Sequence, residues 1–355
     1  MSSMNLYLCS TIRHLMLAVL KALNEPHAQS TILLITDQQN LQEADFDISA
    51  LPKNVNIRFV NRKKILSNVY RGTAGVLLKC AAITGLRPFP SLKQYSRQKV
   101  FHQALGLNDT ADFQLFLFND RNRLARLLKL SVDSYSVIED GLSNYYGVPL
   151  SYFDKLKQVF SGNKNTLRYI GDSSRCREIW LLNVDKAPKE ISGKTRDINF
   201  IQPRNVTEFC YPLFKISESL DKSIDAIIAT QPISVGNLTA SNFDLNVYSD
   251  LIDHLKNQKK NFICKLHPRE SIQRYQDALP GINFIQGKIP LELLIFGAEK
   301  KLDILSIYSS AGMGFESYCT RKTLVNDTEA EVMADIFDTW RKDPAQLEQR
   351  LNSIL

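Results

Sequence analysis

The stretch Asn5–Asp37, NLYLCSTIRHLMLAVLKALNEPHAQSTILLITD, carries three patterns in succession. Asn5–Cys9 is a short apolar run, Ile12–Leu23 places apolar residues at helical spacing, and Ser30–Thr36 is a β-branched run ending in Asp37. A strand, a helix and a second strand make a β-α-β opening. Further strands are predicted at Val55–Val60, Phe113–Phe118 and Ser134–Glu139, with helical stretches such as Asn122–Leu130 between them. Strands that alternate with helices lie parallel in a wound sheet, and such a sheet gathers ligands at the carboxyl ends of its strands.

From Asp185 to Phe214 the pattern weakens into Lys, Pro, Gly and Asn, and then periodicity resumes. The second half repeats the logic with strands at Asp225–Thr230, Asn261–Leu266, Gly281–Ile285 and Leu302–Tyr308, and helices at Asp244–Asn257 and Leu291–Phe296. A chain of 355 residues exceeds what one core usually serves. The expectation is therefore α/β, with a Rossmann-like domain over residues 1–220 and another over 221–355, their parallel sheets facing a central cleft. The last helix is a candidate to pack back on the N-terminal domain.

No segment is long and apolar enough to span a bilayer. The opening MSSMNLYLCSTIRHLML lacks the basic region and cleavage site of a secretory signal, which predicts a cytoplasmic protein. Six cysteines (Cys9, Cys80, Cys176, Cys210, Cys264, Cys319) are scattered without a C-x-x-C pair or a His at metal-finger spacing, so reduced thiols are expected, with no zinc site and no disulfide framework. The formal charge of +7 is unevenly spread: Leu51–Val100 holds eleven Lys or Arg and no Asp or Glu. Nucleic acid, anionic lipid or phosphorylated glycan would each suit that stretch, and so would plain solvent. Within it, Ile65–Leu86 mixes Leu, Val, Ile and Ala with Arg71 and Lys79, flanked by Arg62, Lys63, Lys64 and Arg87. Two readings fit: an amphipathic helix resting on an anionic membrane surface, peripheral at the inner face of the cell membrane, or an ordinary helix packed on the core.

Three motifs sit where a predicted strand ends. In Val137-Ile138-Glu139-Asp140-Gly141, two adjacent carboxylates that are partly buried cannot both ionise comfortably, so one of them would have a raised pKa and serve as a general base. Gly141 supplies the tight turn. The bland alternative is a turn that caps the next element. In Lys265-Leu266-His267-Pro268-Arg269-Glu270, Pro268 restricts His267 to an extended conformation, and Lys265 and Arg269 favour an anion beside the imidazole. A lone histidine is more often structural, but H-P-R at a strand end favours function. In Tyr308-Ser309-Ser310-Ala311-Gly312-Met313-Gly314, small residues after a strand predict a helix start whose N–H groups and hydroxyls cradle a phosphate, with Gly312 permitting close approach; N-capping by Ser309 or Ser310 is compatible with that. Asp45-Phe46-Asp47 matches the metal-holding D-x-D only superficially, because it precedes a predicted strand. Phosphate-loop, dinucleotide-fingerprint and nucleophile-elbow patterns do not occur, which removes the usual support for a kinase, a dehydrogenase or a hydrolase.

The D/E-D/E-G at Glu139–Gly141, the H-P at His267 and Pro268 and the serine pair Ser309 and Ser310 resemble motifs shared by bacterial sialyltransferases and polysialyltransferases. The opening Cys9-Ser10-Thr11-Ile12 is similar to the start of glycosyltransferase family 52, which contains lipooligosaccharide sialyltransferases. The resemblance spans most of the chain as an ordered series carried by few residues. It implies a GT-B fold, CMP-sialic acid as donor, a bacterial surface glycan or glycolipid (lipooligosaccharide or capsule) as acceptor, inversion at the anomeric carbon, and neither metal nor cofactor. By motif, His267 would meet the departing CMP phosphate, Ser309 and Ser310 would bind it, and Asp140 or Glu139 would act on the acceptor hydroxyl. One departure stands out: where family 52 places its base, on the strand end before the H-P strand, this chain has Thr230-Gln231-Pro232, so the Glu139-Asp140 pair takes the role. A single phosphate can be balanced by hydroxyls, a helix start and one imidazole without magnesium. Ser10, Thr11 and Arg13, in the first strand-to-helix turn, are placed to touch sugar or acceptor.

Two rivals remain at this level. A transferase for another CMP-activated acid sugar, of the Kdo or legionaminic type, would share the phosphate motifs. A non-catalytic module could instead hold an anionic ligand on the basic stretch, although the aromatic-rich motif of an RNA binder is absent and nucleic acid is disfavoured.

Overall fold

Thr11 ends the first strand's extended run and starts the first helix: its hydroxyl accepts the His14 amide N–H at 3.2 Å while its own backbone stays extended. Such a cap stabilises a helix by about 1 kcal/mol. The helix that follows, α1 (Ile12–Leu23), buries nearly all of its residues from Ile12 to Ala22, so it is an inner helix laid on a sheet.

The computed structural model describes residues 4–85, 89–108, 112–150, 155, 166–216, 223–233 and 242–355. It divides into two units, Met1–Lys215 and Ile216–Leu355. The expected boundary near residue 220 lies outside the described residues, as do Leu86 and Arg87.

In the N-terminal unit the strands are β1 (Met4–Cys9), β2 (Gln29–Ile35), β3 (Val55–Val60), β4 (Phe113–Leu117), β5 (Tyr135–Ile138), the small hairpin β6 (Val148–Pro149) and β7 (Leu167–Arg168), then β8 (Cys176–Leu181) and β9 (Thr195–Asp197). All but the hairpin form one seven-stranded sheet in the order β3-β2-β1-β4-β5-β8-β9, parallel at every pairing. The order reverses direction between β1 and β4, so a crevice opens above the carboxyl ends of those strands. Helices α2 (Arg62–Val69), α3 (Gly72–Thr84), α4 (Pro90–Ser96) and α5 (Arg123–Leu128) complete the layers. One apolar cluster joins them to the sheet, from Leu6 and Leu33 through Leu78 and Leu115 to Leu127 and Ile179.

The C-terminal unit holds β10 (Ala226–Ala229), β11 (Phe262–Lys265), β12 (Phe284–Ile285), β13 (Leu302–Ser306) and β14 (Cys319–Thr323), again all parallel, in the order β12-β11-β10-β13-β14. Its reversal point lies between β10 and β13. Its helices are α6 (Phe243–Asn257), α7 (Ile272–Ala278), α8 (Leu291–Phe296), α9 (Met333–Lys342) and α10 (Pro344–Ile354). The last of these, α10, buries Leu347 and Leu351 in the core of its own unit, beside Phe337 and Leu255, and His254 on α6 meets Asn352 at 2.9 Å. Leu347 and Leu351, four apart on one face, pack into that core.

One expectation fails for a backbone reason. No helix follows the serine pair: Ala311–Gly314 is a turn, because Gly312 and Gly314 sit at φ of 77° and 82°, outside the helical region. Strands β8, β9 and β14 appear where none was predicted. In β14, CTRKT buries only Cys319, so the alternation that marks a half-buried strand is missing.

Candidate active site

Four segments converge above the carboxyl ends of β1, β4, β5 and β8. Glu139, the first residue beyond β5, is fully buried, and its carboxylate is consumed by scaffolding. Oε1 accepts from Arg13 Nη2 at 3.1 Å, while Oε2 accepts from the Tyr145 hydroxyl at 2.5 Å and from the Leu182 amide at 2.8 Å. It ties the end of β5 to α1 and to the loop after β8, so of the two carboxylates it is the one engaged in holding the fold.

Asp140 is different. Its side chain keeps about a fifth of its surface exposed (22%). Oδ1 lies 2.6 Å from His14 Nε2, and Oδ2 accepts from Asn119 Nδ2 at 3.1 Å. The Asp140 amide is fixed by Asn144 Oδ1 at 2.7 Å. Burial pushes the carboxyl up, but His14, the Asn119 hydrogen bond and the Arg13 charge outweigh it and hold Asp140 down at about 2. Asp140 therefore does not show the raised pKa expected of one member of the pair, because its donors and the nearby Arg13 charge compensate its burial. Asp140 is a carboxylate throughout the physiological range; Oδ2 also lies 3.5 Å from the Ser143 hydroxyl, and Oδ1 keeps a lone pair beyond its contact with His14.

His14 was not legible as a site residue in the sequence, where it is one polar residue in an apolar helix. In the structure it is 2% exposed, stacked on Phe118 at 4.1 Å. Its Nδ1 accepts the Ser10 amide N–H at 3.2 Å, so the ring's N–H is on Nε2 and points at Asp140. Ser10, Thr11 and Arg13 are likewise engaged in building this corner: Ser10 through its amide, Thr11 as the helix cap, Arg13 on Glu139. Gly141 has φ of 128°, which only glycine adopts without strain, and a Cβ there would come within 3.2 Å of Arg13 Nη1.

The C-terminal unit organises a second cluster above β10, β11 and β13. Thr230 and Gln231, at the end of β10, hold both neighbouring loops. The Thr230 hydroxyl accepts the His267 amide at 3.0 Å and donates to Glu270 Oε2 at 2.5 Å. Gln231 Oε1 accepts the Tyr308 amide at 2.7 Å, and its own amide donates to the Tyr248 hydroxyl at 2.9 Å. The residues standing where a base would be expected are thus the anchor of the H-P turn and the serine loop.

His267 is half-buried, and its Nδ1 accepts the Arg269 amide at 3.2 Å, which leaves the proton on Nε2. Burial first, then the positive charges of Arg269 and Lys265, push the imidazole down to about 4. At neutral pH it is an uncharged N–H donor. Lys265 is a second correction. It is 5% exposed, and its ammonium donates to the Leu266 carbonyl at 2.8 Å and the Gly287 carbonyl at 3.2 Å, so it clamps backbone instead of reaching a ligand. Burial lowers it to about 7, against the pull of Glu292 and Glu270. Arg269 is exposed. Ser309 Oγ accepts the Ala311 amide at 3.1 Å, and the Ser309 carbonyl accepts from Arg321 Nη2 at 2.7 Å. Arg321, on the unforeseen strand β14, adds a cation beneath the serine loop. Gly312 is buried against Cys319, where a Cβ would meet Sγ at 2.9 Å, so its lack of a side chain shapes the turn.

Asp45 and Asp47 cap their own turns, Asp45 accepting from the Gln42 amide at 2.7 Å and Asp47 from the Ser49 amide at 3.1 Å. Among the described residues no three His, Cys, Asp or Glu side chains gather as a metal-binding group.

Gly287 supports the H-P turn from below and was missed. A Cβ at this position would lie 2.7 Å from Pro268 Cα and 2.8 Å from the His267 carbonyl oxygen, both backbone atoms that cannot yield cheaply. Gly287→Ala is expected to shift the turn and lower kcat/KM for the donor by about 10- to 100-fold, the scale of an ångström misplacement. Gly193→Ala, where a Cβ meets nothing within 4 Å, is the control and should leave the rate unchanged.

Two Rossmann-like units in one chain, each with its polar cluster at the strand ends, are the make-up of the GT-B class of sugar transferases. Residues 89–323 match the sequence model described as Glycosyltransferase family 52, and the chain belongs to that family. It is a glycosyltransferase. No curated protein sequence matches it. Among solved structures it is similar to an alpha/beta-galactoside alpha-2,3-sialyltransferase from Photobacterium phosphoreum, with 14% identity, TM-score 0.46, and 96% of this chain and 95% of that one covered. A sialyltransferase from Photobacterium damsela gives 10% identity, TM-score 0.47, and coverage of 88% and 72%. A UDP-N-acetylglucosamine 2-epimerase from Rickettsia bellii gives 12%, 0.43, 87% and 75%.

Proposed function

We propose that the chain is an inverting sialyltransferase that moves a sialic-acid-type residue from its CMP donor to a bacterial surface glycan such as lipooligosaccharide or capsule, without a metal. The observation that carries the reading is the pairing of duties at the strand ends. A solvent-reaching carboxylate stays ionised in one unit, and a neutral imidazole with its N–H on Nε2 stands near a serine loop backed by Arg321 in the other.

In this mechanism the acceptor hydroxyl attacks the anomeric carbon as the bond from that carbon to the phosphate oxygen breaks. Asp140 takes the hydroxyl proton as the new bond forms, when that proton becomes acidic. The electron pair of the broken bond stays with CMP, whose phosphate accepts hydrogen bonds from His267 Nε2–H and the hydroxyls of Ser309 and Ser310. In-line displacement puts attack and departure on opposite faces of the carbon, which is why base and leaving-group donor are separate residues.

The test is turnover of a CMP-sugar panel by the purified chain in the presence of a galactose-terminated acceptor and a chelator. Release of CMP from CMP-sialic acid, with a sialylated product of inverted configuration, is expected. Turnover of CMP-Kdo or a CMP-legionaminic sugar alone would replace the donor, and no turnover of any CMP-sugar would leave a binding module.

A further inference from the structure

Helix α3, GTAGVLLKCAAIT, carries apolar residues on more than one face, with Lys79 as its only charge, yet it is packed on one side only. Gly75, Leu78 and Ala82 form its buried stripe, against the core that also holds Leu124 and Leu128 of α5. Opposite that stripe, Val76 is 54% exposed, Leu77 66% and Ile83 51%, with exposed Cys80 among them and Phe89 61% exposed beyond the helix end. Single exposed apolar side chains are ordinary, but a row of them on one helix face, about 10 Å long, marks a surface that meets something. Lys79 on α3 and Arg71 at its start are exposed, as are Lys63 and Lys64 on the preceding helix α2, and no carboxylate occurs anywhere from Leu51 to Val100.

We propose that the outer face of α3 docks on an anionic lipid bilayer, lying in the interface with the helix parallel to the surface. Charge decides among the occupants. A second copy meeting this face about a twofold axis would bring the same unrelieved cations together. A nucleic acid would answer the charge and leave the apolar row in water. A bilayer with anionic headgroups takes both, apolar side chains below the headgroups and ammonium groups among them. No helix among the described residues is long and apolar enough to cross a membrane, so the attachment is to one surface. The inference stands apart from the sugar-transfer reading, because none of these residues belongs to either cluster.

Flotation of the purified chain with phosphatidylcholine vesicles, with and without phosphatidylglycerol, tests it. Binding only to vesicles with phosphatidylglycerol is expected, weakening as salt rises. The variant Val76→Gln/Leu77→Gln/Ile83→Gln should partition about tenfold less or lower still, through lost apolar insertion. The variant Lys63→Gln/Lys64→Gln/Lys79→Gln should lose a similar factor together with the salt dependence. Both variants change exposed side chains and should keep the wild-type melting temperature and their turnover of a soluble acceptor. No binding, equal binding to neutral vesicles, binding that survives both variants, or a dimer in solution that the apolar variant dissociates would each overturn the proposal.

Discussion

Asp140→Asn is expected to lower kcat for sugar transfer by about 10²- to 10⁴-fold, the usual cost of a lost general base, while KM for the CMP-sugar stays within about twofold. The amide has the shape of the carboxylate and its oxygen can still accept from His14 Nε2, so the corner built by α1 and β5 persists and the loss is chemical. A variant that keeps its rate within tenfold of wild type would remove Asp140 from the mechanism. His14→Ala separates proton acceptance from positioning. His14 is buried and touches Asp140, so it acts through that residue. Burial drives the Asp140 carboxyl up and His14 is the first of the groups that hold it down at about 2. Without His14 the carboxyl rises, and the acid limb of the kcat/KM profile should move to higher pH. The same sign governs stability. A carboxylate whose folded pKa is depressed stabilises the fold fully above its ordinary 3.8, and that contribution is lost as pH falls towards about 2. His14→Ala narrows this window, which an acid unfolding titration reads directly.

What was legible in the sequence follows from how each element is buried. Ile12–Leu23, Val55–Val60 and Leu291–Phe296 have the bounds predicted for them, because the first fills its face with apolar residues and the others alternate or repeat cleanly. Edge strand β14 escaped notice since it buries one residue of five, and β8 since Arg177 and Glu178 interrupt its run. The serine loop was read as a helix start from its small residues, whereas the decisive fact was the sign of φ at Gly312 and Gly314, which small-residue composition does not reveal. That these side chains stand at strand ends was legible, and how each is engaged there was not. Glu139 and Asp140 are adjacent and chemically alike, and what parts them is the company each keeps: Arg13, Tyr145 and Leu182 close over one, His14 and Asn119 hold the other with a face to solvent. Arg13 and His14 lie 126 residues away in sequence from their partners, beyond the reach of any local pattern. Lys265 shows the converse. Its place beside His267 suggested an anion ligand, but alternation along β11 turned it inward, where two carbonyls receive it.

His267→Ala is expected to lower kcat/KM for the CMP donor by about 10²- to 10³-fold, the cost of removing one donor aimed at developing negative charge. The manner of the loss distinguishes a hydrogen-bond donor from a general acid. In the free protein the imidazole sits near 4, pushed down by burial and by the charges of Arg269 and Lys265, so an NMR titration of the His267 ring should show its midpoint there, well below the ordinary 6.5. An imidazole with a depressed pKa is neutral at the pH of turnover, and its Nε2–H is available because Nδ1 is occupied by the Arg269 amide. CMP supplies a negative charge that opposes Arg269 and Lys265, so adding it should raise the midpoint, and the same coupling requires CMP to bind more tightly as the ring is protonated. The rise therefore measures how close the phosphate comes to the ring. A midpoint indifferent to CMP, or a His267→Ala chain that turns over its donor at the wild-type rate, would place the nucleotide phosphate elsewhere on the strand ends of this unit.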